Sequence, residues 1–539
     1  MTVEYRSAVA GTDLRWCGEA GESAFRARAI VEAIRTPRVA AYVISAGPGL
    51  RPGVGIGGQL NASGEGFEVV GLLPPIFPEH LGDPSFAATH QVRFPYVAGE
   101  MANGIATTRM VIEMARARML GFFGAGGLHL GAIENAVGEL VRTLGPLPNW
   151  GVNLIHTPGE PGHEDRVADL LIRAGVVNIS ASAFMDLTPA AVRCAVAGLH
   201  TDAAGVIQRR HRLFAKVSRT EVAAKFMAPA PPELLQTLVS RGQITETEAR
   251  LAAAVPLATD VTVEADSGGH TDNRPLTVVL PAVIALRDGL TRRGGYRERI
   301  RVGAAGGLGD PAGVAAAFAA GADYVVTGTV NQRAVEAGLS DDAKQMLATA
   351  SFADIVMAPA ADMFEYGVKV QVLRRGTMFA NRAALLYDTY RDHDDLRDIP
   401  AVVRGRIERD ILRTSFDEAW AQTRQFWLDR DPGQVEQAEQ DPRHRMALVF
   451  RSYLGRSSRW AIEGDAERRG DFQIWCGPAI GSFNRWIADS PLADPQACTV
   501  VQIARNLLEG ATVLARAQQL RTFGVAVPGI ELFPPRLLS

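Results

Sequence analysis

The sequence predicts an α/β protein built on a parallel (β/α)8 barrel, with a helical insertion after the fifth strand and an additional, mainly helical C-terminal region. Three observations predict it. From about Phe94 to Thr329, short β-branched or apolar runs alternate with longer Ala-rich, Arg-dotted stretches of helical period. Eight such runs fall within about 235 residues, close to the ~250 of a barrel and more than a six-stranded doubly wound sheet would use. Glycines and polar residues cluster after the runs, at the strand ends where a barrel keeps its site.

The strands, in order, are Tyr96 to Gly99, Met119 to Gly124, Trp150 to Ile155, Val176 to Ala181, Leu213 to Val217, Asp260 to Glu264, Ile300 to Ala305 and Tyr324 to Thr327. No GxGxxG follows the first of them, which argues against a dinucleotide fold. Between Val217 and Asp260 the turn Met227 to Pro232 and two helical stretches predict a helical hairpin, about 218–258, above the barrel mouth. The organisation is therefore an N-terminal segment (1–90), a cofactor-binding barrel (91–359) and a helical substrate or docking region (360–539). Gly53 to Gly58 formally fits GxGxxG, but no helix-forming stretch follows it, so it carries little. The apolar patch Ala447 to Gly455 with Gln473 to Pro478 reads either as a helical-domain core or as the wall of an acyl pocket.

Composition limits the function. With 539 residues, 47% hydrophobic and 21% charged, the chain can bury a large core. A net charge of −3 offers no footprint for nucleic acid or an anionic membrane. Four separated cysteines, Cys17, Cys194, Cys476 and Cys498, fit a reducing compartment. Met1 to Arg6 has no basic start before an apolar stretch, and no run of eighteen apolar residues occurs, so a cytoplasmic chain without a membrane anchor is expected.

The chemistry concentrates after strands six, seven and eight. Gly303 to Asp310 breaks a strand into glycines before a proline-opened helix, and Thr327-Gly328-Thr329 repeats the logic, so Gly306, Gly307, Gly328 and Thr329 are read as a phosphate site. Together with the histidine after two glycines, these loops read as a flavin site on the barrel. Of ten histidines, His270 alone follows two glycines, Gly268 and Gly269, at a strand end. Its near-neutral pKa suits proton delivery. Lys216 is a charge in the apolar run Leu213 to Val217; it either stabilises a reduced flavin or pairs with Glu264 or Asp266. Asn103 and Asn153 end or follow strands, where an amide could bond the flavin or close an Asx turn, and Met101 and Ala102 would line the ring. Carboxylates around His270 suggest neither glycoside hydrolysis, which leaves the phosphate loops unexplained, nor a metal, since no second histidine lies nearby.

The pattern Glu-Ala-x-x-Gly-Gly-His, with Gly-Gly and Thr-Gly-Thr after it, resembles the nitronate monooxygenase and flavin enoyl reductase barrels. Closer still, Glu264 to Pro275 is similar to the PfaD-type enoyl reductases, the trans-acting partners of polyunsaturated fatty acid synthases and of polyketide synthases without built-in acyltransferases. Lys216 to Ala223, Thr329 to Gln332, Met357 to Glu365, Val370 to Leu373 and Asp471 to Pro478 match that branch too; Ile480 and Ser452 stand where methionine and tryptophan are usual in it. The resemblance implies a TIM barrel that binds FMN, takes hydride from NADPH or NADH, and passes it to the β-carbon of an α,β-unsaturated acyl group on an acyl carrier protein. His270 would protonate the α-carbon or orient the thioester. A homodimer is the expectation for large soluble barrels. Two competing functions are a nitronate monooxygenase, which an extended C-terminal region does not suit, and a silent synthase scaffold, which the retained His270, Lys216 and phosphate loops argue against.

Overall fold

The computed structural model describes residues 14–538 apart from 20 and 63, so the chain start from Met1 to Arg6 lies outside the described residues. Eight parallel strands close into a barrel: β1 (Tyr96–Ala98), β2 (Leu120–Phe123), β3 (Trp150–Ile155), β4 (Asn178–Ser182), β5 (Arg212–Val217), β6 (Asp260–Glu264), β7 (Arg301–Ala305) and β8 (Tyr324–Thr327). Each pairs with the next, and β8 closes on β1 through Val325 opposite Tyr96, so no edge is left. The helices between them form the outer ring. The strands coincide with the sequence-based ones to within two residues; β4 starts later because Val176 and Val177 still belong to the turn that precedes it.

The period of two sorts every strand. On β5, Leu213, Ala215 and Val217 face the helices and join the main core, while Phe214 faces inward with Val97, Leu120, Phe122, Tyr324 and Val326. The inward file of β5 is thus Arg212, Phe214 and Lys216, and that of β6 is Asp260, Thr262 and Glu264. Two of the inward positions are glycines because an aromatic ring occupies their space: a Cβ at Gly151 would strike Phe122, and one at Gly303 would strike Tyr324. The helix Pro84–His90 plugs the floor, with Phe86 stacked on Tyr324 at 4.5 Å. Its N-cap is Asp83, whose carboxylate accepts from Ser85 N–H.

The insertion sits elsewhere than expected. Thr220–Met227 is the barrel's own fifth helix and packs on Leu276–Gly294. The hairpin proper, Pro232–Ser240 and Glu246–Ala252, lies on the outer flank against Pro189–Val196. Glu248 there accepts from the Gly198 N–H at the floor end, because the chain must return below the barrel to begin β6. The hairpin does not cover the mouth.

The N-terminal segment is a five-stranded antiparallel sheet, ordered Gly53–Ile56, Ala41–Ser45, Phe67–Leu73, Arg15–Cys17 and Gln59–Asn61, with the helix Ala27–Arg35 against it. The glycines of the Gly53 run are strand residues. Gly55 leaves room for the Trp16 indole. This sheet rests on the last helix, Val500–Thr522, where buried Arg516 donates to the carbonyls of Pro37, Val39, Leu73 and Pro74.

After the barrel come a short sheet and a helical lobe. Ile355–Pro359 and Lys369–Leu373 pair antiparallel, and the helices Phe379–Asp392, Phe416–Arg430, Pro432–Gln440 and Pro442–Glu463 build the lobe. Ala447, Val449, Phe450, Tyr453 and Leu454 are all buried in its own core, together with Phe364 and Phe379. The Ala447 to Gly455 half of the patch is therefore core, while Ile474 and Cys476 of the other half are buried in a separate cluster. Among the described residues no helix is long and apolar enough to cross a membrane.

Candidate active site

The C-terminal rim of the barrel is where small side chains end the inward files and charged ones stand among them. A chain of polar contacts runs around it. Asn153, on β3 and buried, accepts from Gly126 N–H (3.2 Å) and donates to Ser180 O (3.1 Å) and Ser182 Oγ (2.7 Å). Both N–H donors of its amide are thus used in bracing the rim. Ser180 Oγ donates to Glu100 Oε1 at 2.8 Å, and Lys216 Nζ lies 3.5 Å from Glu100 and 2.9 Å from Glu264. Burial alone would depress the Lys216 pKa, but the charges of Glu100 and Glu264 outweigh it, so the ammonium is held firmly protonated. The ion-pair reading of Lys216 is thus present in the structure, with Glu264 and with Glu100, and not with Asp266.

Asp266 bonds elsewhere: it accepts from Gln371 Nε2 at 2.8 Å, and burial raises its pKa. His270 follows Gly269 in a two-residue strand paired to Lys369–Leu373, and its Nε2 lies 3.2 Å from Asp362 Oδ1. The imidazole is about one-third exposed (33%), so it remains accessible from the mouth. Burial works against its protonation; the Asp362 hydrogen bond and charge, with a contribution from Glu264, more than compensate and raise its pKa. Next to it Asp272 accepts from Arg219 at 2.8 Å and from Ser218 at 2.6 Å, and these bonds bring its pKa down to about 2.

The glycine loops divide into those packed shut and those facing open space. A Cβ at Gly268 would come within 2.8 Å of the Cys476 backbone, and one at Gly306 (φ +90°) within 2.9 Å of Ala265. By contrast Gly269 (φ +80°) and Gly307 (φ +72°) would meet no protein atom within 4 Å, and Gly328 only Met101 at 3.9 Å. Left-handed φ at two of these positions demands glycine, and the space beside them lets a bound group approach the backbone closely. Thr329 Oγ1 accepts from Gly477 N–H at 3.1 Å, which draws the C-terminal stretch Trp475 to Pro478 against the loop after β8. Beside it the Ser267 hydroxyl is buried with no hydrogen-bond partner among the described residues. Glycines with space beside their backbone, an orphaned hydroxyl and the Lys216 ammonium on the same rim suit a phosphorylated, flat, electron-accepting group such as FMN. Met101, Ala102 and Asn103 form the rim after β1; Asn103 adopts φ +57° and its Nδ2 donates to Ser458 Oγ of the lobe at 3.2 Å.

Three residues of this rim have no place in the sequence-based site. Glu100 directly follows the first strand, and its position there was the available signal. His156 directly follows β3; its Nδ1 lies 2.9 Å from buried Glu164, and the ring stacks on Phe184 at 5.0 Å. Asp362 comes from the turn between the two strands after the barrel, and its only signal was the family-like stretch Met357 to Glu365. The lobe touches the rim again through Arg430, whose Nε donates to Glu160 at 2.9 Å.

A closed parallel barrel with two glycine loops after its last strands, and a histidine and a lysine on its rim, defines a (β/α)8 protein with a built site at its C-terminal face. The chain superposes on the crystal structure of the enoyl reductase domain of MlnA, from the macrolactin biosynthesis cluster of Bacillus amyloliquefaciens, with a TM-score of 0.78; it is 34% identical, and the match covers 82% of this chain and 99% of that one. The chain belongs to the PfaD-type enoyl reductase family. It is also 46% identical over 458 residues to a polyunsaturated fatty acid synthase polypeptide of Thraustochytrium sp., covering 84% of this chain and 30% of that protein. To the polyketide biosynthesis protein PksE of Bacillus subtilis it is 40% identical over 439 residues, covering 81% and 57%. The chain spans only 24% to 57% of the length of the curated relatives it matches. Residues 393–472, in the helical lobe, match the family described as [acyl-carrier-protein] S-malonyltransferase, inserted helical domain.

Proposed function

We propose that this chain is a trans-acting, FMN-dependent enoyl reductase that reduces an α,β-unsaturated acyl thioester on an acyl carrier protein, using NADPH or NADH, for a polyketide or polyunsaturated fatty acid synthase in the cytoplasm. The observation that supports the reading most is the rim: an ion-paired lysine at the end of β5, a part-exposed histidine after β6 and glycines with free space beside them after β6 and β7, in a chain of the enoyl reductase family. FMN, when bound, supplies the relay of hydride from the reduced nicotinamide to the β-carbon.

The chain's own residues supply the rest. Gly306, Gly307, Gly328 and Thr329 would hold the phosphate through backbone amides and one hydroxyl. Met101, Ala102, Asn103, Gly268 and Gly269 would border the ring with little bulk. Asn153 acts through its neighbours, since its amide is committed to Gly126, Ser180 and Ser182. Lys216 provides positive charge against a reduced ring, tempered by Glu100 and Glu264. His270 holds a proton near neutral pH and delivers it to the α-carbon as the β-carbon is reduced.

Anaerobic stopped-flow tests this. The purified flavoprotein is reduced with NADPH or NADH and mixed with crotonyl thioester on a carrier protein or on its pantetheine mimic. Rapid reoxidation without oxygen is expected. Reoxidation by oxygen alone, with or without a nitronate, replaces the reading by a monooxygenase, and a protein that never takes up flavin returns it to a scaffold.

A further inference from the structure

The His270 imidazole is held from outside the barrel. Gly269 pairs with Gln371 and His270 with Val370, and the strand carrying Gln371 pairs in turn with Ile355–Pro359. The turn joining those two strands bears Asp362. The three-stranded sheet therefore fixes the His270 backbone directly and both ends of the loop that carries Asp362, so the two residues are tied through one sheet. The turn is itself anchored: Ala360 N–H donates to Val368 O (2.9 Å), Gly367 N–H to Phe364 O (3.0 Å), and the Phe364 ring is buried in the lobe core.

The groups that act on the pair come from three elements. Asp362 approaches His270 from the turn and Glu264 from the end of β6. Arg451, on the helix Pro442–Glu463, acts on Asp362 and pairs with Glu365 at 3.0 Å. On the opposite side of the strand, Gln371 is tied to Asp266. Among the described residues Nδ1 of His270 has no hydrogen-bond partner.

We infer that Asp362 is the positioning residue of His270: it accepts the Nε2 proton and so leaves Nδ1–H as the bond that breaks when the site donates a proton. The proton leaves Nδ1 for the α-carbon as the β-carbon gains hydride, the imidazolium becomes a neutral imidazole that keeps Nε2–H toward Asp362, and solvent restores the Nδ1 proton. The identity of the acceptor rests on the enoyl reductase reading; the pairing does not.

The test is an imidazole titration by NMR on the full chain labelled with 15N-histidine, with H270Q identifying the signal. D362N is expected to lower the pH at which His270 titrates and to remove the preference for the Nε2–H tautomer, and D362E to restore both. In the reductase assay D362N should lower kcat about tenfold or more with KM little changed, less than the ~10²- to 10⁴-fold loss of a general acid, and should shift the alkaline limb of the pH profile to lower pH. If D362N does not fold, D362S takes its place in the same titration, with the same lowered midpoint and lost tautomer preference expected. An unchanged titration and tautomer in the variant that folds overturns the inference whatever the substrate. A shifted titration in a protein that reduces no enoyl thioester leaves the pairing standing and removes the functional reading.

Discussion

Strand β6 begins with Asp260 and ends with Glu264, four residues apart on the same inward face, and the two carboxylates have opposite surroundings. Asp260, at the floor, is fully buried: Arg301 donates to it at 2.6 and 3.0 Å, Thr259 at 2.7 Å, and His90 lies 3.1 Å away with its other nitrogen on Asn178. Burial would raise the Asp260 pKa, but the Arg301 charge and the His90 bond hold it well below the usual range. Glu264, at the mouth, is part-exposed and shares one lysine with Glu100. The same residue types make a closed, fully answered network at one end and an incomplete, solvent-reached one at the other. An incomplete network is what a ligand or a proton can change; a complete one only holds the barrel shut.

The comparison breaks if the two ends respond alike to mutation. The largest stability loss is expected for Asp260→Asn, which strands the buried Arg301 guanidinium; about 3–5 kcal/mol should disappear from the denaturant unfolding free energy. Lys216→Met leaves Glu100 and Glu264 facing each other, but water reaches Glu264, so the same measurement should read about 1–3 kcal/mol, with weakened flavin retention seen in the visible absorbance. An equal or larger loss than at Asp260 would erase the distinction.

The pH dependence of stability separates the ends by sign. Burial depresses the pKa of His90, which stays neutral when folded and protonates on unfolding, so it removes stability as pH falls below about 6.5. His270 has a raised pKa, so its contribution is complete below about 6.5 and is lost as pH rises through the folded value. His90→Gln should therefore flatten the decline in melting temperature between pH 7 and 5, and His270→Gln should leave that decline in place. The smallest stability change belongs to His270→Ala, within about 0.5 kcal/mol of wild type, yet it should slow enoyl reduction ~10²-fold or more. A variant that melts early and loses activity in proportion would make His270 a structural residue.

Much of the barrel was legible because strands buried on both faces must be apolar or β-branched along their whole length, and all eight were visible on that ground. The loops after β6 and β7 were legible because left-handed backbone at Gly269, Gly306 and Gly307 requires glycine. The N-terminal sheet was not, since the strand Gly53–Ile56 is half glycine: the property that lets it lie under Trp16 erases its β signal. The hairpin at 232–252 was recognised as helical, but no property of its own sequence says which end of the barrel it flanks.

What the amino-acid sequence by itself determined is everything carried by local period and local backbone: the parallel barrel, the glycine cradles, and the histidine and lysine at strand ends. Only the tertiary structure decided who answers those charges. Glu100 meets Lys216 across 116 positions of chain, and Asp362 reaches His270 across 92, through strand registers that neither segment encodes alone. A charge's pKa and its use depend on the groups within a few ångströms, and chain closure, not sequence proximity, brings them there.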